Sequence, residues 1–493
     1  MVHPRLLKAL KFKVPGDDKI DRLSALPDDI LRDIMSYLPT EIAAATSVLS
    51  TRWKDLFISL PDIDLTVCKC WYALTEEARE REVSNFLTFG FRLILLRNKV
   101  PLRKFQLFVS PFVENLRVAI DSLLSAALLA KVQELDICVE GDQENRLYLP
   151  RIFTSKSLVT LTIETGEDLI APSRVCLPNL KVLRFNSLKS IDEVSFVQLI
   201  QGCPSLEELS LKWRCLENVD RTLNVSAPFL KKLVLSCMQG RYSLAVESNN
   251  LVYLDCNVYG ELKFAINAPC LEYFKYQGYP VEVKFVQDLR TIIDATIAFD
   301  EFELKETENI LMLQGENAFE LINGLQCVKS LNIESQSLKT LYDAGRFLPD
   351  LVNLTSLALD LYCDSESTMW WNMIPSLLES APNLEALNIV SCVSDNQLTC
   401  EEELGILLQK AFPSCYIRQL KEIKIKISGN DQEFGFKLVK RFLKNGKSLK
   451  KITLYGSLKH WESSPKDYNK ILSFTKSSKD CRIVFDHWMN GNE

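Results

Sequence analysis

The chain has 493 residues, of which 47% are apolar and 25% charged, and its net charge is −6. By size alone that suggests about three domains and a core large enough to need no staples. The composition excludes a disordered or fibrous protein, and the small net charge excludes steering of a polyanion by global charge. No apolar stretch approaches the roughly 18 residues of a membrane span, so no membrane association is expected. The 15 cysteines are odd in number and run from Cys68 to Cys481. So long and sparse a pattern is not a secreted disulfide framework. A reducing compartment is expected, cytoplasm and/or nucleus, with most thiols acting as small buried hydrophobes.

The first 19 residues carry no apolar h-region and no small-residue cleavage site, so no secretory signal is expected. Residues 20–60 then read as three short helices. Pro27 suits a first helical turn, and Asp28 and Asp29 favour the positive end of the helix dipole. Ile30, Leu31, Ile34 and Leu38 form one helical stripe. Pro39 ends that helix, and Thr40 can cap the next. A third helix starts near Ser50 and carries Trp53, Leu56 and Phe57. So small a trio has a marginal core by itself, which points to apolar surface shared with a partner.

Beyond it the pattern L-x-x-L-x-L recurs. It appears as LVTLTI at 158, LKVLRF at 180, LEELSL at 206, LKKLVL at 230, LVYLDC at 251 and LEYFKY at 271. It continues as LTSLAL at 354, LEALNI at 384, LKEIKI at 420 and LKKITL at 449, with degenerate copies at 132 and 328. A further strand is expected over 292–299. Spacings of 20 to 26 residues in the first half are those of leucine-rich repeats. Each copy supplies one strand whose second and third motif leucines point inward, and the chain returns as a helix or loop. Helices over 194–201 and 371–380 are two such returns. One copy cannot bury its own apolar face, so the copies stack. The fold class is therefore α/β: a curved solenoid with a parallel sheet, preceded by the small helical trio.

Alternation also picks out the face that looks away from the core. It puts Glu208, Ser210 and Lys212 in one row, Lys232, Val234 and Ser236 in the next, then Tyr253, Asp255 and Asn257, then Tyr273, Lys275 and Gln277. Two tyrosines in adjacent rows beside an acid and a lysine are the residue types of interface anchors. Glu208, Lys212, Tyr253, Asp255, Tyr273 and Lys275 are thus candidate substrate-binding residues. The alternative is that the tyrosines only cover neighbouring strands.

Motifs for chemistry are missing. The three histidines, His3, His460 and His487, offer no H-E-x-x-H pair, and no G-x-S-x-G elbow accompanies them. Cys68 and Cys70 lie in an expected strand without the second pair that zinc requires. Gly446-Lys447-Ser448 ends like a phosphate loop, but Arg441 stands where the first glycine is needed and a helix precedes it. Asn445-Gly446 reads instead as a helix C-cap with a left-handed glycine. No cofactor, no metal and no catalytic residue is expected. Residues 417–482 carry 17 Lys and Arg against 6 Asp and Glu, leaving −17 for the remainder. Lys437, Lys440, Arg441, Lys444 and Lys447 recur at helix spacing there, and a solvated face is the plainer account than a nucleic-acid site.

Leu26-Pro27-Asp28-Asp29-Ile30-Leu31, Tyr37-Leu38-Pro39-Thr40 and the run from Thr46 to Trp53 resemble an F-box. The segments from Phe86 (FLTFGFRLILLRNKVPLRKFQL), Val175 (VCLPNLKVL), Phe196 (FVQLIQGCPSLEEL) and Ala268 (APCLEYFKY) extend the likeness. So do those from Leu420 (LKEIKI), Leu443 (LKNGKSLKKITL) and Ile471 (ILSFTKSSKDCRIVF). In order and spacing they resemble, over nearly the whole chain, the plant F-box proteins with leucine-rich repeats and a C-terminal FBD region. The chain departs from that family at Glu41, where a basic residue is usual, and at Leu56-Phe57 in place of Leu-Trp.

The resemblance implies a tail (1–19), F-box (20–66), helical linker (67–130), leucine-rich repeats (131–410), an FBD region completing the solenoid (411–486) and a C-terminal tail (487–493). It implies a non-catalytic substrate-recognition subunit of an SCF-type cullin-RING ubiquitin ligase. The F-box would dock a SKP-type adaptor, and through it cullin and RING subunits, while the repeats hold a protein substrate. Carried over, the adaptor-facing set is Leu26, Pro27, Ile30, Leu31, Ile34, Val48, Leu49, Ser50 and Trp53. Leu31 and Ile34 fit the F-box's own core equally well. The alternative function is a ligase-independent repeat protein that binds partners, nucleic acid among them, through the basic C-terminal region; nucleic acid is the less expected partner.

Overall fold

The computed structural model describes residues 23, 25–66, 75–97, 100–109, 117–139, 151–166, 168, 170–214, 220–300, 308–363, 369–393, 406, 408–426, 432–456 and 465–487. Cys68, Cys70, His3 and His460 lie outside them. Two compact units divide at Arg214 and Cys215.

The first unit opens with α1 (Asp28–Ser36), α2 (Thr40–Thr46) and α3 (Thr51–Ile58). Leu31, Met35 and Ala43 are fully buried, and Trp53, Leu56 and Phe57 nearly so, which closes a small core between the three helices. Ser50 caps α3, its hydroxyl accepting from the Trp53 amide at 3.3 Å. Thr40 does not cap α2: Pro39 holds that position, and the Thr40 hydroxyl accepts from the Asp64 amide at 2.9 Å instead. The expected cap is lost because the hydroxyl is taken up by the strand amide of Asp64.

Then follow β1 (Asp62–Thr66), α4 (Glu76–Leu96), β2 (Lys104–Val109), α5 (Arg117–Leu129), β3 (Glu134–Val139), β4 (Thr160–Thr165), β5 (Val182–Leu188), α6 (Glu193–Gln201) and β6 (Glu208–Trp213). The strands pair in parallel in chain order. The sheet thus starts at Asp62, at the end of the stretch expected to be the F-box, and β2 lies inside the expected helical linker. β1 and β2 are led by Leu60 (LPDIDL) and Leu102 (LRKFQL), and Ile63, Leu65, Phe105 and Leu107 alternate inward like any other rung.

The second unit holds β7 (Asp220–Ser226), β8 (Lys232–Cys237), β9 (Arg241–Glu247), β10 (Tyr253–Val258), β11 (Glu261–Asn267), β12 (Tyr273–Gly278), β13 (Glu282–Phe285) and β14 (Asp294–Phe299). It continues with α7 (Glu308–Asn323), β15 (Ser330–Glu334), α8 (Ser335–Asp343), β16 (Ser356–Cys363), α9 (Met373–Ser380) and β17 (Ala386–Val393). Last come α10 (Ser414–Ile417), β18 (Glu422–Lys426), α11 (Gln432–Asn445), β19 (Lys451–Gly456), α12 (Pro465–Leu472) and β20 (Arg482–His487). Strands β8, β10, β12 and β14 to β20 form a parallel sheet.

Between residues 220 and 285 the return is a strand, not the expected helix or loop: β7, β9, β11 and β13 form a second parallel sheet. With repeats only 20 or 21 residues long, the return has no room for a helix with two turns and two loops. The alternating segments 241–247 and 261–267 supply the apolar face, with Tyr242, Leu244, Val246, Leu262, Phe264 and Ile266 buried.

Two ladders lock successive repeats. Paired amides at each strand start share one carbonyl of the preceding repeat, as Lys181 and Val182 share Val159 O (2.9 and 3.1 Å) and Glu272 and Tyr273 share Val252 O. A short polar side chain before the first motif apolar residue reaches back to another carbonyl. In the first unit Asn179 donates to Lys156 O at 2.8 Å and Ser205 to Pro178 O at 2.8 Å. In the second, Asn250 donates to Pro228 O at 2.6 Å, Thr291 to Pro269 O at 2.9 Å and Asn383 to Val352 O at 2.8 Å. These bonds satisfy carbonyls that no sheet partner reaches.

Two glycines serve close approach. Gly278 sits at φ +113, and a Cβ there would meet Val258 O at 1.9 Å. Gly446 is not left-handed as expected of a C-cap; a Cβ would lie 2.8 Å from Phe442 O, so space rather than φ requires glycine.

Candidate functional site: an apolar helical surface and an outward sheet face

The helical trio presents apolar side chains that its own core does not use. Pro27 is exposed, as are Ile30 (44%), Ile34 (38%), Val48 (65%) and Leu49 (54%), and Leu26 is half-buried. Leu31 and Trp53 belong to the interior of the trio, at 0% and 6% exposure. Ser50 is exposed but committed to its cap. Arg52 joins the two halves of this surface: it donates to Leu26 O at 2.6 Å and to Asp28 at 2.8 Å, which holds the start of α3 against the start of α1. Arg52 was not singled out from the sequence, nor were the exposed Tyr37 and Ile42.

This trio is fastened to the first sheet. The buried Arg97, at the end of α4, donates to Leu60 O and to Pro101 O (3.1 Å). Burial pulls its guanidinium below the usual range, against the opposing pull of Asp62.

On the second unit, the outward face of β10 and β12 gathers Tyr253, Asp255, Tyr273 and Lys275 through the pairs Tyr253–Tyr273 and Asp255–Lys275. The Tyr253 hydroxyl donates to Asp255 Oδ2 at 3.4 Å, Lys232 Nζ lies 5.2 Å over the Tyr253 ring, and Lys275 Nζ stands 3.9 Å from Asp255. Tyr273 is 42% exposed and carries no such bond, so it is the member open to a partner. Burial, then Asp255, raises the Tyr253 phenol. Glu208 and Lys212 belong to the first unit, where Glu208 pairs with Arg184 at 3.2 Å and Lys212 is exposed.

Farther along the second unit's face the charge turns acidic. Tyr259 donates to Asp300 at 2.5 Å, and burial with that bond lifts its phenol to about 12. Glu334 is raised by burial, then by Asp360 and Asp300, with Lys275 opposing; Asp360 is raised by burial, with Lys426 opposing. These carboxylates sit at or beyond the seventh motif position, where alternation already places a side chain outward; their crowding depends on strand pairing. A carboxyl whose folded pKa lies above its unfolded value binds its proton more tightly when folded. Stability should therefore fall as pH rises through and above the usual carboxylate range. Glu334→Gln should raise Tm at pH 7, and the gain should shrink toward pH 4; thermal melts across that range check it, and an equal shift at both pH values contradicts it.

The chemistry of thiols is muted where they are buried: burial pushes Cys203 up to about 12, and burial, then Asp255, raises Cys256 well above the usual thiol range. Among the described residues no group of three or more His, Cys, Asp or Glu could hold a metal ion, and no helix is long and apolar enough to cross a membrane.

Comparison with known proteins matches this geometry. The F-box domain matches residues 23–64, and the family described as "FBD-associated F-box protein At5g56370, LRR repeats" matches residues 120–343. The chain thus carries an F-box and FBD-associated leucine-rich repeats. It is 28% identical over 489 residues to the F-box/FBD/LRR-repeat protein At1g78750 of Arabidopsis thaliana, covering 96% of this chain and 98% of the relative. It is 27% identical over 493 residues to the FBD-associated F-box protein At4g13985 of the same plant, covering 95% and 97%. F-box/LRR-repeat protein 13 of Arabidopsis thaliana is 27% identical over 455 residues, covering 90% and 91%. The F-box match falls on the helices that expose Ile30, Ile34, Val48 and Leu49, and the repeat match ends within α8.

Proposed function

We propose that the chain is the substrate-recognition subunit of an SCF-type cullin-RING ubiquitin ligase, working in the cytoplasm and/or nucleus. The F-box docks a SKP-type adaptor that is held by cullin and RING subunits, and the repeats hold a protein substrate. The observation that carries this reading is the apolar surface of Leu26, Pro27, Ile30, Ile34, Val48 and Leu49, exposed on a trio whose own core is already closed. Several large apolar side chains turned outward together mark an interaction surface. The chain would contribute no bond-making group; holding two bodies near each other raises the transfer rate by proximity.

The substrate would rest on Tyr253, Asp255, Tyr273 and Lys275 in the second unit. Affinity capture with the proteasome blocked should recover a SKP-type adaptor and a defined set of proteins. A Tyr253→Ala, Tyr273→Ala variant should keep the adaptor and lose about tenfold or more of the captured substrate, the size of a modest anchor. Loss of substrate on mutating the opposite face instead, with this variant unchanged, would refute the placement. Failure to recover any SKP-type adaptor would favour a ligase-independent binding role.

A further inference from the structure

In the second unit, several surface cations pair with an acid on the neighbouring rung. Lys421 meets Glu385 and Lys451 meets Glu422 (3.3 Å) in the main sheet; Arg241 meets Glu261 (2.9 Å) and Lys263 meets Glu282 (3.2 Å) in the second. The last repeats also gather cations outside such pairs. Arg418, Lys444, Lys447, Lys450 and Lys479 are all exposed, and no ion pair engages any of their side chains among the described residues.

Backbone bonds bring the five together. Ser448 N donates to Arg418 O at 3.2 Å, which sets Lys447 beside Arg418. Lys450 N donates to Lys421 O at 2.8 Å on the same side. Ser477 donates through its amide to Leu443 O (2.8 Å) and through its hydroxyl to Lys444 O, which lays the loop bearing Lys479 on the end of α11. Two acids stand nearby: Asp480 is exposed beside Lys479, and Glu422 is occupied by Lys451. The negative end of the α11 dipole accounts for Lys444 and Lys447. It does not account for Arg418, Lys450 or Lys479, which have no ion pair among the described residues.

We infer that this basic corner is a second docking surface, separate from the outward sheet face, and that its occupant is an acidic protein segment rich in Asp and Glu. The inference does not depend on the ligase reading. Charge favours a short acidic segment over a long polyanion. The five cations sit at one corner of a chain whose net charge is −6, which can attract a short acidic segment locally without drawing a long polyanion along the surface.

The test is fluorescence anisotropy of the full-length chain with a labelled twelve-residue polyglutamate peptide. Binding should be measurable at low salt and weaken as salt rises. Lys444→Gln, Lys447→Gln and Lys450→Gln together should weaken it about tenfold, while Lys→Arg at the same three positions, which keeps the charge, should preserve it. No binding by the unmodified chain, or equal binding by the glutamine variant, overturns the inference. Tighter capture of a single-stranded DNA 12-mer or of phosphatidylserine vesicles through these lysines overturns the assignment to an acidic protein. Should the glutamine variant fail to fold, the salt dependence of the unmodified chain and its ranking of the three probes still decide the outcome.

Discussion

Replacing Leu31 with alanine should cost about 2–5 kcal/mol and unfold the helical trio, whereas Ile30→Asp should leave it folded and abolish adaptor capture. The two residues are neighbours on one helix, yet Leu31 is fully buried and Ile30 is 44% exposed. The leucine loses both its transfer free energy and the packing of a very small core, with few surrounding atoms able to collapse into the gap. The aspartate meets only water in the free chain, but in the complex it would carry an unpaired charge into an apolar contact, which costs several kcal/mol. Limited proteolysis and amide exchange over residues 25–60 should report melting for Leu31→Ala alone. Co-purification with a SKP-type adaptor should fail for both variants, with the fold intact only for Ile30→Asp. Retained capture by a folded Ile30→Asp chain would remove this face from the interface.

Arg97→Ala should destabilise the first unit by about 2–4 kcal/mol. The guanidinium satisfies Leu60 O at the end of the F-box and Pro101 O before β2, and its removal leaves both carbonyls without that donor and a cavity behind. Leu60 is itself buried at 5% exposure, so water can replace the lost donor only by opening the junction. Faster amide exchange through β1, with the α1–α3 surface unchanged, is the expected signature. Adaptor capture should persist, and under the proposed function the rate of ubiquitin transfer in a reconstituted ligase should fall, since the F-box would no longer be held at Leu60 to the start of β2. A variant with unaltered exchange in β1 would show that the Thr40–Asp64 bond and the sheet suffice.

The repeats and their faces were legible from residue order because they depend on local rules. A leucine at every third and second position builds a strand with one buried side whichever neighbours it acquires, so Leu158, Leu161 and Ile163 are buried as the alternation requires. The same rule placed Tyr253 and Tyr273 outward, and helical spacing located α1, α6 and α11. Legibility ended where a residue's role depends on a partner distant in sequence. Ile30 and Leu31 share one helical stripe, and only the position of Trp53 and Phe57 against it sends one outward and the other inward. Thr40 had the chemistry of a cap, but a strand amide 24 residues later claimed its hydroxyl. Arg52 and Arg97 look like ordinary surface cations in the chain; each is fixed by a carbonyl that folding delivers, from 26 and 37 residues away. Asp300, Glu334 and Asp360 become a crowded acidic face only because parallel pairing sets β14, β15 and β16 side by side. Periodicity fixes which way a side chain points, since that follows from backbone geometry alone; what it meets there follows from packing across the chain.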